Sequence, residues 1–260
     1  MIQFQNEHLT VFQSVLYQTT CAVIRSEKAV ILIDPNWLPQ EIEAIQAYVA
    51  HIIGDRQLYI IFTHSDFDHI IAAGAFPNSI KIASKAFAEQ PNKAAILEEI
   101  QQFDAQYYVE RSYPIIYPTI DLIIDEDAQQ LILGDITCTF YLAPGHTDDG
   151  IFIVIDSLKL MLAGDYLSDV EFPFLTDFQA YLTTLQKAQM IVEQYEIQLL
   201  VPGHGKTTAS SAEIMERIKE SRRYLQQLEQ GIDQEPYLKA RYPFYLSLKA
   251  MHELNKKQAP

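Results

Sequence analysis

The sequence contains little cysteine, little positive charge and no long apolar run. Two of its 260 residues are cysteines and no CxxC pair occurs, which excludes a disulfide framework and argues against a thiol-based metal or redox motif. We therefore expect Cys21 and Cys138 to be buried, reduced thiols, as in cytoplasmic proteins. The first residues, Met1–Thr10, do not join a basic stretch to an apolar one, so we expect no secretory signal and a cytoplasmic location.

The charge balance of the sequence limits its partners. Lysine and arginine number 19 against 34 acidic residues, which gives a formal net charge of −15. Surfaces that bind nucleic acids normally carry positive charge, so we expect no nucleic-acid partner. Apolar stretches such as Ile151–Ile155 are far shorter than the roughly 20 residues that cross a bilayer, so we expect no membrane partner. We expect a small-molecule substrate. Even an anionic substrate is compatible with the negative net charge, because a bound metal ion would attract it locally.

Hydrophobic residues make up 48% of the chain, enough for a sizeable core. Strand-like apolar runs occur in two blocks, and each block is followed by helical patterns. This order predicts an α/β fold with two sheets packed face to face and helices outside, formed by residues 1–260 as a single domain. The predicted strands are Val11–Tyr17, Ala22–Arg25, Ala29–Ile33, Leu58–Phe62, Asp121–Ile124, Gln130–Leu133, Ile136–Leu142, Ile151–Ile155, Lys159–Leu162 and Gln198–Val201.

Apolar spacing and capping residues predict the main helices. Residues Leu38–Ile53 repeat apolar side chains every three to four positions. Capping boxes at Thr176–Gln179 and Ser210–Glu213 predict helices that reach about Tyr195 and about Gln230. We expect the C-terminal helices, residues 211–257, to pack on the sandwich, with a homodimer contact as the alternative. Residues 84–118, which include four tyrosines, are either a surface helix and loop or an insertion that covers the site.

Histidine and aspartate residues cluster where apolar runs end. The segment Thr63–His69 holds four potential ligands. In an extended segment the alternate side chains of His64, Asp66 and Asp68 would point the same way, and His69 would turn into the next element. Three further candidates each follow a glycine at the end of an apolar run. Buried charges of this density require a compensating cation. The candidate metal ligands are His64, Asp66, Asp68, His69, His146, Asp165 and His204.

This set resembles the signature of the metallo-β-lactamase fold superfamily: HxHxDH, then a Gly-His turn, a Gly-Asp pair and a late Gly-His pair. The match covers roughly residues 11–207. The resemblance implies a four-layer αββα sandwich with two divalent metal ions at one edge of the sheets. It assigns His64, Asp66 and His146 to the first ion, Asp68, His69 and His204 to the second, and Asp165 to both.

One position departs from the family pattern, because Asp66 stands where the family usually has a second histidine. Carboxylate is a harder ligand than imidazole, so Asp66 shifts the first site towards oxygen-loving metals. Zinc is the metal we favour, and Asp66 leaves iron or manganese open. The flavodiiron branch of the superfamily similarly has an acidic residue at this position.

The resemblance and the ligand set together predict a dinuclear metal-dependent hydrolase. A metal-bound hydroxide would attack a small ester, thioester, lactone or phosphoester, and the catalytic residue Asp68 would orient it. Two alternatives stay open: a di-iron oxidoreductase, which Asp66 favours, and a non-catalytic metal-binding protein, which a vacant first site would favour. Asp34 is expected to support a ligand or a turn, and Asp148 and Asp149 either orient His146, cap the next element or are solvated. The remaining histidines, His8, His51 and His252, are expected to be ordinary surface or core residues.

Overall fold

The computed structural model describes residues 1–260. Eight α-helices and two short 3₁₀ turns connect twelve strands. The strands are β1 (Ile2–Gln5), β2 (Leu9–Gln13), β3 (Thr20–Arg25), β4 (Ala29–Ile33), β5 (Gln57–Ile61), β6 (Ile80–Ser84), β7 (Leu122–Ile124), β8 (Gln129–Leu133), β9 (Ile136–Leu142), β10 (Ile151–Ile155), β11 (Leu160–Leu162) and β12 (Leu199–Val201). The helices are α1 (Pro39–Ile53), α2 (Phe67–Ile70), α3 (Lys85–Ala88), α4 (Lys93–Tyr107), α5 (Phe178–Gln194), α6 (Ser211–Glu229), α7 (Glu235–Arg241) and α8 (Tyr245–Gln258).

The strands form two sheets. The first sheet has the order β1-β2-β3-β4-β5-β6-β7, and the second has the order β12-β11-β10-β9-β8. Strands β4 to β7 run parallel, as expected where helices connect the strands. In the second sheet β8 to β11 are antiparallel neighbours, and β12 lies parallel to β11. Strands β9, β11 and β12 therefore point in the same direction and end at the same edge.

Alternation along the strands produces three apolar layers. In β4, Ile31 faces the cluster between the two sheets, whereas Val30 and Leu32 face the cluster under α1. On the outer side of the second sheet, Phe152 and Val154 pack in a cluster with residues of α5, α6 and α8. Side chains that alternate between faces allow each sheet to bury both sides. The predicted four-layer αββα sandwich is confirmed.

Several boundaries differ from the sequence prediction. The strand predicted at Val11–Tyr17 ends at Gln13, because the Ser14 N–H donates to Thr19 O at 2.9 Å and turns the chain. Strands β1 and β6 were not predicted. In β6 the buried Lys81 interrupts the apolar pattern. The N-cap of α5 is Asp177, whose side chain accepts from Ala180 N, and not Thr176.

Two segments of the prediction have clear positions in the structure. Residues 84–118 contain α3 and α4, with Tyr107 and Tyr108 exposed and Tyr117 packed against the cluster under α1. The apolar stripe of α6, including Ile214 and Leu225, is buried in the cluster that also holds α5. The homodimer and the cytoplasmic location stay predictions. None of the helices combines the length and the apolar character that a membrane crossing requires.

Candidate metal centre

The seven predicted ligands lie at one edge of the sandwich, in the segments that follow β5, β9, β11 and β12. The segment after β5 carries four of them. Asp66 has an extended backbone and precedes α2, while Asp68 and His69 lie within that helix. The prediction that Asp68 belongs to one extended segment with His64 and Asp66 is therefore wrong. The turn into α2 brings Asp68 and His69 beside His204, the ligand that follows β12.

Glycines allow the other three ligands to reach the same edge. Gly145 precedes His146 with φ +122°, and Gly164 precedes Asp165 with φ +51°, both in the region that favours glycine. A Cβ at Gly145 would overlap Tyr181 N in α5. Both the backbone conformation and the close approach thus require glycine before His146.

The first group of potential ligands surrounds one point. His146 Nε2 lies 3.2 Å from Asp66 Oδ2 and 3.3 Å from Asp165 Oδ2. His64 Nε2 lies 3.6 Å from the same two oxygens. These four side chains can offer one ligand atom each to a single ion.

The second group of potential ligands also contacts Asp165. His69 Nε2 is 3.1 Å from Asp165 Oδ1, and His204 Nε2 is 3.2 Å from Asp165 Oδ2. Asp68 Oδ2 is 3.7 Å from His69 Nε2 and 3.5 Å from His204 Nε2. Asp68, His69 and His204 form a second potential metal-binding group. Asp165 touches both groups, which is the geometry a bridging carboxylate requires.

In each of the four histidines of the centre, Nδ1 points away from the ligand groups and has a hydrogen-bonding partner. Backbone carbonyls and carboxylates only accept, so these rings donate from Nδ1 and leave Nε2 as a lone pair. Thr63 Oγ1 itself donates to Asp34 Oδ2 at 2.6 Å and so accepts from His64. The acceptors are Thr63 Oγ1 for His64 at 3.0 Å, Asp34 Oδ2 for His69 at 3.0 Å, Phe174 O for His146 at 3.1 Å and Tyr17 O for His204 at 2.9 Å.

The inward-facing atoms fit a cation. His69 Nε2 and His204 Nε2 face each other at 3.4 Å, and two lone pairs at this distance repel unless a positive charge lies beside them. His64 Nε2 is buried without any hydrogen-bonding partner. Imidazole nitrogens oriented by outer acceptors and mixed with carboxylates are a typical donor set for divalent metals. The residues present therefore fit metal ions.

The electrostatics of the side chains agree with that fit. Burial lowers the pKa of His69 and His146, but their contacts with Asp165 reverse the effect, and both pKa values lie well above the ordinary histidine value. Burial raises the pKa of Asp165, yet His204, His69 and His64 hold it well below the usual aspartate range. The pocket thus stabilises positive charge beside its carboxylates, whether protons or metal ions carry it.

Asp34 supports the second group without belonging to it. Its Oδ2 accepts from His69 Nδ1, and its Oδ1 accepts from Thr63 N at 2.8 Å. We expect Asp34→Asn to weaken metal binding about 10- to 100-fold, since outer partners fix the orientation and basicity of a ligand. Competition with a chromophoric chelator measures the affinity, and the exposed Asp55→Asn is the matched control. Equal affinity in both variants would contradict a supporting role for Asp34.

The other sequence candidates are placed as follows. Asp149 is buried and lies 3.4 Å from Ser65 N through Oδ1, whereas Asp148 is exposed. Neither has a hydrogen bond with His146, so the structure does not support the idea that they orient it. His252 is a core residue in contact with Tyr224, and both His8 and His51 are exposed. The two cysteines are buried and unpaired, as predicted.

Glu171 is a candidate functional residue that the sequence analysis missed. Its side chain is 11% exposed, and its Oε1 lies 3.9 Å from His204 Nδ1. Burial raises the pKa of Glu171 to about 7, opposed by His204 and reinforced by Asp165. The sequence offers one indication of Glu171: a carboxylate between the apolar residues Val170 and Phe172. A charged side chain that is buried with apolar neighbours usually has a charged or metal partner.

Comparisons with known proteins agree with the architecture. The sequence model of the metallo-beta-lactamase superfamily matches residues 15–204. No protein of curated function matches the chain. Many solved structures share its fold.

Three of these structures illustrate the range of chemistry on this fold. A metallo-beta-lactamase family protein from Thermus thermophilus is 16% identical, with a TM-score of 0.64 over 87% of this chain and 82% of its own. A metallo-beta-lactamase from Pontibacter korlensis is 14% identical, with a TM-score of 0.59 over 84% and 98%. Rubredoxin oxygen:oxidoreductase from Desulfovibrio gigas is 12% identical, with a TM-score of 0.59 over 87% and 62%. At these identities the similarity shows the fold alone.

Proposed function

Because the chain belongs to the metallo-beta-lactamase superfamily, we propose that it is a dinuclear metal-dependent hydrolase. Its substrate would be a small molecule with an ester, thioester, lactone or phosphoester bond. The observation that carries the proposal is the convergence of seven histidine and aspartate side chains into two groups that share Asp165. Such a shared carboxylate suits two cations about 3.5–4 Å apart.

The proposed roles of the side chains follow from their positions. Two bound divalent cations would lower the pKa of water to about 7 and polarise the electrophilic oxygen of the substrate. Asp68 would hold the attacking water in line with the scissile bond, and Thr19 Oγ1, 3.3 Å from Asp68 Oδ2, would keep that carboxylate in place. The first ion would be held by His64, Asp66 and His146, the second by Asp68, His69 and His204, and Asp165 would bind both.

The metal of the first group follows from Asp66. Its side chain is 45% exposed, whereas those of His64 and His146 are 2% and 8% exposed. A solvated carboxylate is a weaker and harder ligand than the buried imidazole that the family usually has there. We infer zinc as the preferred metal of the second group, with iron or manganese able to compete in the first.

Elemental analysis of protein purified without added metal tests the proposal. We expect about two transition-metal ions per chain, as in other two-metal sites. A panel of thioesters, lactones, carboxylic esters and phosphodiesters then identifies the bond that is hydrolysed, with chelator-treated protein as the blank. Hydrolysis that survives complete removal of metal would contradict the mechanism, and so would metal-loaded protein that is inactive on the whole panel.

A di-iron oxidoreductase is the second candidate, and Asp66 is the observation that favours it. The acidic residue at this position makes the first group suitable for iron. Under this alternative the protein contains iron rather than zinc and consumes oxygen or nitric oxide when a flavin-containing reductase supplies electrons. Zinc at both positions together with ester or thioester hydrolysis would exclude it. A vacant first group of ligands without either activity would instead support a binding role.

A further inference from the structure

A cleft of about 560 Å³ adjoins the metal centre on the side of Asp66. Its walls come from the loop after β5, from the segment that joins α3 to α4 together with the first turns of α4, and from the loop after β9. Asp66 belongs both to the cleft and to the first group of ligands. A substrate whose scissile bond lies over the metal centre would therefore extend into this space.

The cleft is lined by acidic side chains without counter-ions. Besides Asp66 it contains Glu89, Glu99, Asp148 and Asp149, and no lysine or arginine lines it. None of these four carboxylates lies within salt-bridge distance of a lysine, arginine or histidine; all ion pairs of the chain are formed elsewhere or within the metal centre. Two divalent cations would offset the charges of the metal-ligating aspartates, but the four remaining carboxylates would stay uncompensated.

Two buried oxygens in this cleft lack hydrogen-bonding partners. Asp149 is 1% exposed, and although its Oδ1 lies 3.4 Å from Ser65 N, its Oδ2 has no partner. The hydroxyl oxygen of Thr147 is likewise buried and unpartnered. Buried polar atoms in folded proteins are almost always satisfied, so two unsatisfied oxygens in residues that line one cleft favour a ligand that donates hydrogen bonds.

We propose that this cleft binds a cationic group of the substrate, a primary ammonium or a guanidinium. This assignment rests on the proposed hydrolase function and names the substrate class for it. An ammonium offers three N–H donors and a guanidinium five, with no acceptor that would repel the carboxylates. The unpartnered Asp149 Oδ2 and Thr147 Oγ1 would accept from it, while Asp148 and Glu99 would favour its approach from solvent. Anionic groups are disfavoured on the same grounds.

A matched series of substrates tests the charge preference. The series comprises 6-aminohexanoyl, hexanoyl and adipoyl substrates that share one leaving group, of the ester or thioester class that the panel shows to be hydrolysed. We expect kcat/KM to be about 10-fold higher for the 6-aminohexanoyl than for the hexanoyl substrate, as charge attraction over a few ångström allows. The adipoyl substrate should be the poorest. Equal values, or a preference for adipoyl, would overturn the assignment.

Variants that neutralise acidic residues of the cleft test whether the preference for a cationic substrate arises there. Asp148→Asn combined with Glu99→Gln should reduce the ratio of the 6-aminohexanoyl to the hexanoyl kcat/KM about 5-fold, as partly solvated charges allow. Both residues are exposed, so the double variant should fold. Glu43→Gln, an exposed change on α1, is the control and should leave the ratio unchanged. A ratio that stays the same in the double variant, or falls equally in the control, would refute the proposed location.

A binding experiment separates this inference from the proposed function. Hexylammonium and 1-hexanol are titrated into zinc-loaded protein and followed through the amide signals of Gln90, Thr147 and Asp148. We expect tighter binding of hexylammonium, and weaker binding in the double variant. If no substrate is hydrolysed but hexylammonium binds in this way, the hydrolase proposal fails and the cation site stands. Hydrolysis without charge preference, or equal binding of hexylammonium and 1-hexanol, would refute the cation site but would not contradict the proposed hydrolase function.

Discussion

Asp165→Asn is expected to remove both metal ions and to lower hydrolysis by at least about 10³-fold, because water that loses its metal returns from a pKa of about 7 to the much higher pKa of bulk water. The two oxygens of Asp165 lie 3.1–3.6 Å from Nε2 atoms of four histidines. An asparagine at this position has no negative charge, and its NH₂ group would face at least one of these nitrogens. Both groups of ligands would lose their shared carboxylate at the same time.

Two companion variants make this result specific. His69→Ala should remove the second ion and leave the first, since His69 belongs to only one group. His51→Ala, an exposed change on α1, should leave the metal content unchanged. Elemental analysis after dialysis gives the content, and circular dichroism confirms that each variant is folded. Two ions retained in folded Asp165→Asn would show that this side chain does not bridge a metal pair.

Gly203→Ala is expected to damage the same site without changing a ligand. A Cβ at Gly203 would overlap Asp165 Oδ1 and would lie 2.9 Å from Gly164 C. The backbone cannot move away easily, because Gly203 N donates to Gly164 O at 2.6 Å and Thr20 N donates to Gly203 O at 2.7 Å. The Asp165 carboxylate must shift instead, so we expect loss of metal together with about 1–3 kcal/mol of destabilisation from overpacking.

Gly231→Ala is the matched control for this prediction. No atom lies within 4 Å of a Cβ built there, although the φ of +65° imposes some strain. We expect this control to lose about 1–2 kcal/mol of stability from the left-handed conformation and to keep its metal. Thermal unfolding of the metal-free proteins measures the loss of folding stability in each variant separately from its metal binding. A Gly203→Ala protein with wild-type metal content would show that Asp165 tolerates the displacement.

Patterns within short segments predicted much of the fold. Continuous apolar runs such as Ala29–Ile33 and Ile151–Ile155 were predicted at their observed bounds, because a short apolar run is visible in neighbouring residues alone. The Ser210 capping box correctly marked the start of α6. Strand β6 was missed, since Ile80–Ser84 has a buried lysine within it and acquires its strand conformation by pairing with β5 and β7.

The assignment of seven ligands came from the order of motifs along the chain, and their proximity is a property of the folded molecule. His69 and His204 are 135 positions apart, yet their Nε2 atoms lie 3.4 Å from each other. Their meeting depends on β5 and β12 ending at the same edge of two different sheets. No local spacing could have placed Asp68 in α2 with the second group, or Glu171 beside His204.

By itself the amino-acid sequence determined the residue types at this edge, the glycines that let them turn inward, and the departure at Asp66. These are local properties, because they depend on side-chain chemistry and on the backbone conformations that a few adjacent residues allow. Only the tertiary structure decided which oxygens and nitrogens face one another, and that an acidic cleft with the unpartnered Asp149 Oδ2 adjoins them. These features arise from contacts between segments distant in the chain, and the packing of both sheets sets their distances.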